Sequence, residues 1–140
     1  MSKNRGKTGA YSTEQIQDIY ALAKMFLETG HYRRAEKLIS GLNCVAPEFS
    51  LGWLASALVD VSLGRIERAR ESALKAVRVK PDLSEAMILI VVTSLSLQDY
   101  ATAGTYLGEL RDRIENGEVS DPGIIRLFKM QMVRYTQECN

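Results

Sequence analysis

The feature that most constrains this chain is a period of 34 residues. Pro47 and Pro81 are one such step apart, Gly30, Gly64 and Gln98 keep the same step, and so do Ala35, Ala69 and Ala103. The segments around them align as Gly30-His-Tyr32-Arg-Arg-Ala35, Gly64-Arg-Ile66-Glu-Arg-Ala69 and Gln98-Asp-Tyr100-Ala-Thr-Ala103. Self-similarity at this spacing marks a supersecondary unit that cannot bury its apolar side alone, so that neighbouring units must stack.

Each unit reads as a helical hairpin. A Gly or Gln, then a polar residue, then Tyr or Ile marks a tight turn between two helices, and a small Ala three residues later lets the helices approach. Upstream of the turns run Ile16, Ile19, Tyr20, Ala23, Phe26 and Leu27, then Trp53, Leu54, Ala57, Leu58 and Val61, then Met87, Ile88, Val91, Val92 and Leu95. Their i, i+3, i+4, i+7 spacing is one face of a helix. Downstream, Ala35, Leu38, Ile39 and Leu42, then Ala69, Ala73, Ala76 and Val77, then Ala103, Tyr106, Leu107 and Leu110 give the second helices. Trp53, Ala57, Phe26 and Ala23 are expected in the core.

The boundaries carry their own signals. Ser12 with Gln15 predicts a capping box before the first helix, and Pro47 and Pro81 fall just past the second and fourth, where a helix cannot continue. Asn116-Gly117 ends the third unit. Asp121 before Pro122 reads as an N-cap and first helical residue, opening a seventh helix with Ile124, Ile125, Phe128, Met132 and Tyr135 on its apolar side. The expected division is one domain over residues 11–140, with units at about 13–47, 50–81 and 84–116 and a terminal helix at about 122–138. Residues 1–10 are expected to be a flexible basic N-terminus.

A hairpin of this length with Trp53, Gly64, Ala69, Ala76 and Pro81 resembles a tetratricopeptide-repeat (TPR) unit. The first unit departs at Ile19, where the family often has Trp, and at Leu42, where it has Ala, but keeps Gly30, Tyr32, Ala35 and Pro47. The third keeps Tyr100 and Ala103 without the closing Pro, implying a longer sixth helix and an inserted loop from Asn116 to Asp121. The resemblance covers residues 13 to about 115. It implies an all-α fold, three TPR hairpins stacked as a right-handed solenoid with a C-terminal capping helix.

The same resemblance implies that the first helix of each unit lines a concave groove. Placed on this sequence, the family's groove positions are Gln17, Tyr20, Lys24 and Leu27, then Leu51, Leu54, Leu58 and Val61, then Glu85, Ile88, Val92 and Leu95. The expected partner-binding set is Tyr20, Lys24, Leu27, Leu54, Leu58, Val61, Ile88, Val92 and Leu95. TPR modules that grip an acidic C-terminal carboxylate need Asn, Lys and Arg donors. Leu58 and Val92 stand where those modules carry Asn, and only Lys24 fits. A largely aliphatic groove suits instead an apolar or amphipathic segment of a protein partner. Two other occupants stay open at this point: the terminal helix folded back, or a second copy in a homodimer.

Small TPR proteins with such grooves resemble the bacterial type III secretion chaperones for needle subunits, translocators or export-apparatus components. The expectation is therefore a cytoplasmic, non-enzymatic chaperone for a secretion-system component, with no cofactor. A structural adaptor held permanently in a multiprotein assembly is the alternative.

The remaining signals point nowhere more specific. The composition, 46% hydrophobic and 25% charged, is that of a globular domain. The longest apolar run, Met87 to Val92, is far short of the roughly 20 residues of a membrane span, so no membrane insertion is expected. Cys44 and Cys139 are far apart, with no metal-ligand spacing around either. Gly6-Lys7-Thr8 lacks the earlier glycine and the leading strand of a phosphate-binding loop. His31, the only histidine, sits in a turn with no nucleophile or acid beside it. Arg65, Arg68, Arg70, Lys75, Arg78 and Lys80 on the fourth helix read as a solvated convex face, and the net charge of +1 argues against nucleic acid.

Overall fold

A computed structural model describes residues 11–139, and the expectation for residues 1–10 lies outside them. Among the described residues there are seven helices and no strand: α1 (Thr13–Glu28), α2 (Tyr32–Val45), α3 (Ser50–Ser62), α4 (Ile66–Val79), α5 (Ser84–Ser96), α6 (Tyr100–Glu115) and α7 (Pro122–Cys139). The helix ends follow the sequence signals. Ser12 Oγ accepts from the Gln15 amide while Gln15 Oε1 accepts from the Ser12 amide, which completes the capping box. Before α7, Asp121 Oδ1 accepts from the Gly123 amide at 2.8 Å. Helix α6 runs for 16 residues against 14 in α2 and α4, and the 116–121 loop tucks Val119 beneath α7.

All three hairpin turns are built alike. The amides of His31, Arg65 and Asp99 each bond the carbonyl five residues back, on Phe26, Asp60 and Ser94, at 2.7–2.8 Å. The residue before each has a positive φ: 83° at Gly30, 77° at Gly64 and 59° at Gln98. This closure satisfies carbonyls left over at the helix end and forces one left-handed residue. Gln98 holds that conformation with a side chain. Just past each turn, Ala35, Ala69 and Ala103 have no exposed surface, marking where the second helix meets the first.

Packing then sets the curvature. Each helix contacts the next in sequence, and α1, α3, α5 and α7 also approach one another closely in order, whereas the backbones of α2, α4 and α6 stay apart. A layer of helices in contact backed by a splayed layer must bend with the contacting layer inside, which makes α1, α3, α5 and α7 the concave wall. The centre of the stack is α5, in which eight of 13 residues are buried, because it is flanked by α3, α4, α6 and α7. Its buried Thr93 hydroxyl donates to the Leu89 carbonyl at 2.7 Å, so no lone polar group is stranded there.

Two ionic contacts tie unit to unit, at repeat-equivalent positions with their signs exchanged. Between the first and second units, Arg65 in the α3–α4 turn reaches Glu36 on α2 and buried Asp60 on α3. One period on, Asp99 in the α5–α6 turn takes Arg70 of α4 at 2.8 Å, and Ser94 stands where Asp60 stood. The Arg65 hydrogen bond holds the Glu36 carboxyl below its ordinary range, and the Thr102 hydroxyl and amide, then Arg70, do the same for Asp99.

Two predictions follow from these details. Replacing Gln98 with Gly should stabilise the fold by about 0.5–1 kcal/mol, read as a shift in denaturation midpoint, because the left-handed backbone no longer carries a Cβ. Glu36 and Asp99 both have folded pKa values below their unfolded ones. Their contribution is complete above the unfolded carboxylate values of about 4 and is lost as pH falls through the lower folded values. A Glu36→Gln, Asp99→Asn double variant should therefore show a flatter loss of stability below about pH 4 than the wild type; an unchanged acid limb would remove these two groups as its cause.

Candidate functional site

The concave wall presents one side of α1, α3 and α5, and the nine residues expected to line a groove divide into two sets. Tyr20, Leu27, Val61 and Val92 are partly exposed, Lys24 is exposed, and Leu58, at 37%, is the most open aliphatic residue of α3. Leu54, Ile88 and Leu95 are core residues, only 7%, 4% and 1% exposed, and are not available to a partner. The correction has a packing cause. Leu54 is covered by Leu83 and Ala86 at the start of α5, and Ile88 and Leu95 lie in the cluster that α5 forms with Ala103, Leu107 and Leu110 of α6 and with Ile124 and Phe128 of α7.

Polar groups border the open set. The Tyr20 ring meets Phe49 edge-on, with centroids 5.6 Å apart and planes at 79°. Burial first, then the negative charge of Glu85 and Glu28, raises the Tyr20 hydroxyl above its usual pKa. Carboxylates from α5 and α1 therefore lie close enough to act on one hydroxyl. At the other end Arg134 of α7 reaches over α5: its Nη2 donates to Ser96 Oγ at 3.1 Å, Nη1 approaches the Val92 carbonyl at 3.5 Å, and Nε donates to Glu138 at 2.8 Å.

This placement of Arg134 brings in two exposed apolar residues of α7 that the sequence reading did not single out. Met130 and Leu127 precede it by four and seven residues, so they share its side of α7, and both are exposed. The α7 sequence carries the signal as a second apolar line, off the axis of Ile124 and Phe128. Helix α7 contacts α5 and α6 and neither α1 nor α3, so it lengthens the wall and does not fill the groove. The accessible apolar surface thus runs through Leu27, Leu58, Val61, Val92, Leu127 and Met130.

Other sequence signals are quiet in three dimensions. His31 is exposed, with Nδ1 2.9 Å from the Thr29 hydroxyl and its ring edge-on to Phe26. Cys44 and Cys139 are free and exposed. Among the described residues no group of three or more His, Cys, Asp or Glu is placed to hold a metal, and no helix is long and apolar enough to cross a membrane.

Separating the two sets of residues is a matter of stability. Leu95→Ala should cost about 2–5 kcal/mol in chemical denaturation, and Leu58→Ala under about 1 kcal/mol. Equal losses would mean that Leu58 is core as well.

No protein-family model matches this chain, and no curated protein matches it. Solved structures do. The type III secretion chaperone SycD of Yersinia enterocolitica, in complex with a peptide of the translocator YopD, superposes with a TM-score of 0.78 at 16% identity, covering 91% of this chain and 94% of that one. PcrH from Pseudomonas aeruginosa gives 0.76 at 17% identity over the whole of both chains. The Sgt2 TPR domain from Aspergillus fumigatus gives 0.75 at 22% identity, covering 94% of this chain and 84% of that one. At these identities the likeness is one of fold, shared by secretion chaperones and other TPR domains alike. The chain has the all-helical tetratricopeptide-repeat fold, three hairpins closed by a seventh helix.

Proposed function

We propose that this protein is a non-enzymatic chaperone or adaptor that shields an apolar or amphipathic segment of a partner protein in its concave groove, and that the partner is a component of a type III secretion system. The observation that carries the reading is the line of accessible aliphatic side chains, Leu27, Leu58, Val61 and Val92, continued on α7 by Leu127 and Met130. If six such side chains each lose roughly 50 Å² of apolar surface, the gain is on the order of 7 kcal/mol before ordering costs. That magnitude permits useful binding and also release to a competing site. The secretion assignment draws on the fold likeness to SycD, solved with a translocator peptide, and to PcrH, whose complex with the chaperone-binding region of PopB is similar to this chain at a TM-score of 0.75 and 18% identity. The TPR2AB domain of yeast Sti1, solved with a peptide of HSP90, has a comparable fold. The apolar Leu58 and Val92 argue against carboxylate gripping here, since a desolvated anion needs donors.

Affinity capture from the native cell, comparing the wild type with Leu58→Glu, tests the reading. The variant should fold, by circular dichroism, and bind a single small client at least about tenfold more weakly, because a charge at the centre of an apolar contact must be desolvated. A folded variant that retains every partner would refute the groove as the site. A client that never leaves under exchange with excess unlabelled client would replace the chaperone by a permanent adaptor.

A further inference from the structure

The two seams of the stack, between the first and second units and between the second and third, are filled in opposite ways. In the second seam, Ile90 of α5 is buried with Ala57 and Ala73, and Leu74, Val77 and Tyr106 pack against it. One period earlier, the positions of Ile90, Leu74, Val77 and Tyr106 are taken by Ser56, Ser40, Asn43 and Ser72. These four polar residues line a cleft of about 350 Å³ on the convex side of the first seam, between α2 and α4. A space of that size with hydroxyl and amide walls is one that water fills. Helix α2 correspondingly lies less closely on α3 than α4 does on α5.

The first seam is therefore held differently on its two sides. Beneath the cleft, Ala35 and Ile39 pack against Ala55 and Val59, and on the concave side the Tyr20 ring meets Phe49. Across the convex side the units are joined by charge. Arg65 reaches back to Glu36 and to Asp60, Arg68 comes within 3.9 Å of Glu36, and Arg33 lies 3.8 Å from the same carboxylate on its own helix. The Arg65 and Glu36 side chains are 24% and 28% exposed, within reach of salt. Glu71 and Lys75, the other charges that face the cleft, make no ion pair among the described residues.

One buried group favours parting the units. Asn43 Oδ1 has no hydrogen-bond partner among the described residues, and it lies so close to Gly52 of α3 that a Cβ there would collide with it. Separation would give that oxygen water to bond. Opening the first seam thus exposes walls that are already hydrated, whereas opening the second would expose Ile90, Leu74 and Tyr106.

We propose that the first seam is the joint of this protein: the first hairpin rocks on the second about the apolar contact on the concave side, opening and closing the polar cleft, with the Arg65–Glu36 pair as its latch. The rest of the stack moves as one body. Rocking carries Leu27 toward or away from Leu58 and Val61, so the groove changes width at one place. The consequence for a partner rests on the groove reading above, and the joint itself does not.

Pulsed dipolar distances between spin labels test the proposal on a Cys44→Ser, Cys139→Ser background. Positions 33, 67 and 101 are exposed and repeat-equivalent, so an Arg33→Cys, Glu67→Cys pair reads the first seam and a Glu67→Cys, Ala101→Cys pair reads the second in the same geometry. The first distance should be spread at least about twice as widely as the second. Raising salt from about 0.1 to 1 M, which cuts the screening length from about 10 to about 3 Å, should widen the first alone. Glu36→Gln should fold, since Asp60 keeps Arg65, and should widen the first distance at low salt as high salt does. A Ser40→Leu, Ser56→Ile, Ser72→Tyr variant, carrying the residues of the second seam, should narrow it to the width of the second. Equal spreads in the wild type, a salt response common to both pairs, a folded Glu36→Gln with the wild-type distribution, or a folded triple variant that keeps the wide spread would each overturn the joint. No partner enters these measurements, so their failure is distinct from failure of the groove reading.

Discussion

No hairpin in this protein can bury its own apolar surface, and the rest of the structure depends on that constraint. Each pair of helices closes at one alanine, Ala35, Ala69 or Ala103, which leaves apolar residues on both flanks of the pair. Stacking resolves the conflict for every unit that has neighbours. The degree of burial consequently follows position in the stack: α5 is enclosed by four helices and accepts an almost wholly apolar sequence, whereas α1, with one side uncovered, places Glu14 and Asp18 in line with Leu22 and Met25. At the other end α7 covers α5 and α6 through Ile124 and Phe128 and leaves Leu127 and Met130 in the open. The curvature that forms the groove comes from the same source, because the contacting layer of first helices is shorter than the splayed layer behind it.

Stacking by apolar burial alone is non-directional, and the polar contacts between units supply what it lacks. Glu36 meets Arg65, and one period later Arg70 meets Asp99. Partly exposed pairs like these contribute little to stability. Their exchanged signs bear on order: setting the third unit directly on the first would oppose Glu36 to Asp99, two carboxylates. The bridges thus select among stacks that the shared Ala and turn positions would otherwise tolerate. A similar division of labour marks the turns. Gly30 and Gly64 take the left-handed conformation freely, and Gln98 is held there by the hydrogen bonds around it.

Much of the fold was legible because its signals are local and repeated. The capping box at Ser12, the Asp121-Pro122 start of α7, the lengthened α6 and the positive-φ positions depend on residues within a few places of one another. The site was legible only in part. Helical periodicity names the side of α3 that carries both Leu54 and Leu58, which are one turn apart, yet one is buried and the other open. What separates them is the start of α5, where Leu83 and Ala86 cover Leu54 alone. Ile88 and Leu95 were lost to the core in the same way, and Arg134 shows which side of α7 faces α5, the side that also carries the exposed Leu127 and Met130.

By itself, then, the sequence determined the repeat, the seven helices, their turns and the side of each helix that carries apolar residues, since all of these follow from the spacing of residues along one chain. Only the tertiary structure decided how deeply each residue on that side is buried, whether α7 fills the groove or lengthens it, and that the first seam encloses a polar cleft where the second is packed. Those outcomes depend on which helix lies over which. That is set by the volumes of side chains a full period or more apart, such as Ser40 against Leu74 and Ser72 against Tyr106, and by contacts with no local signature.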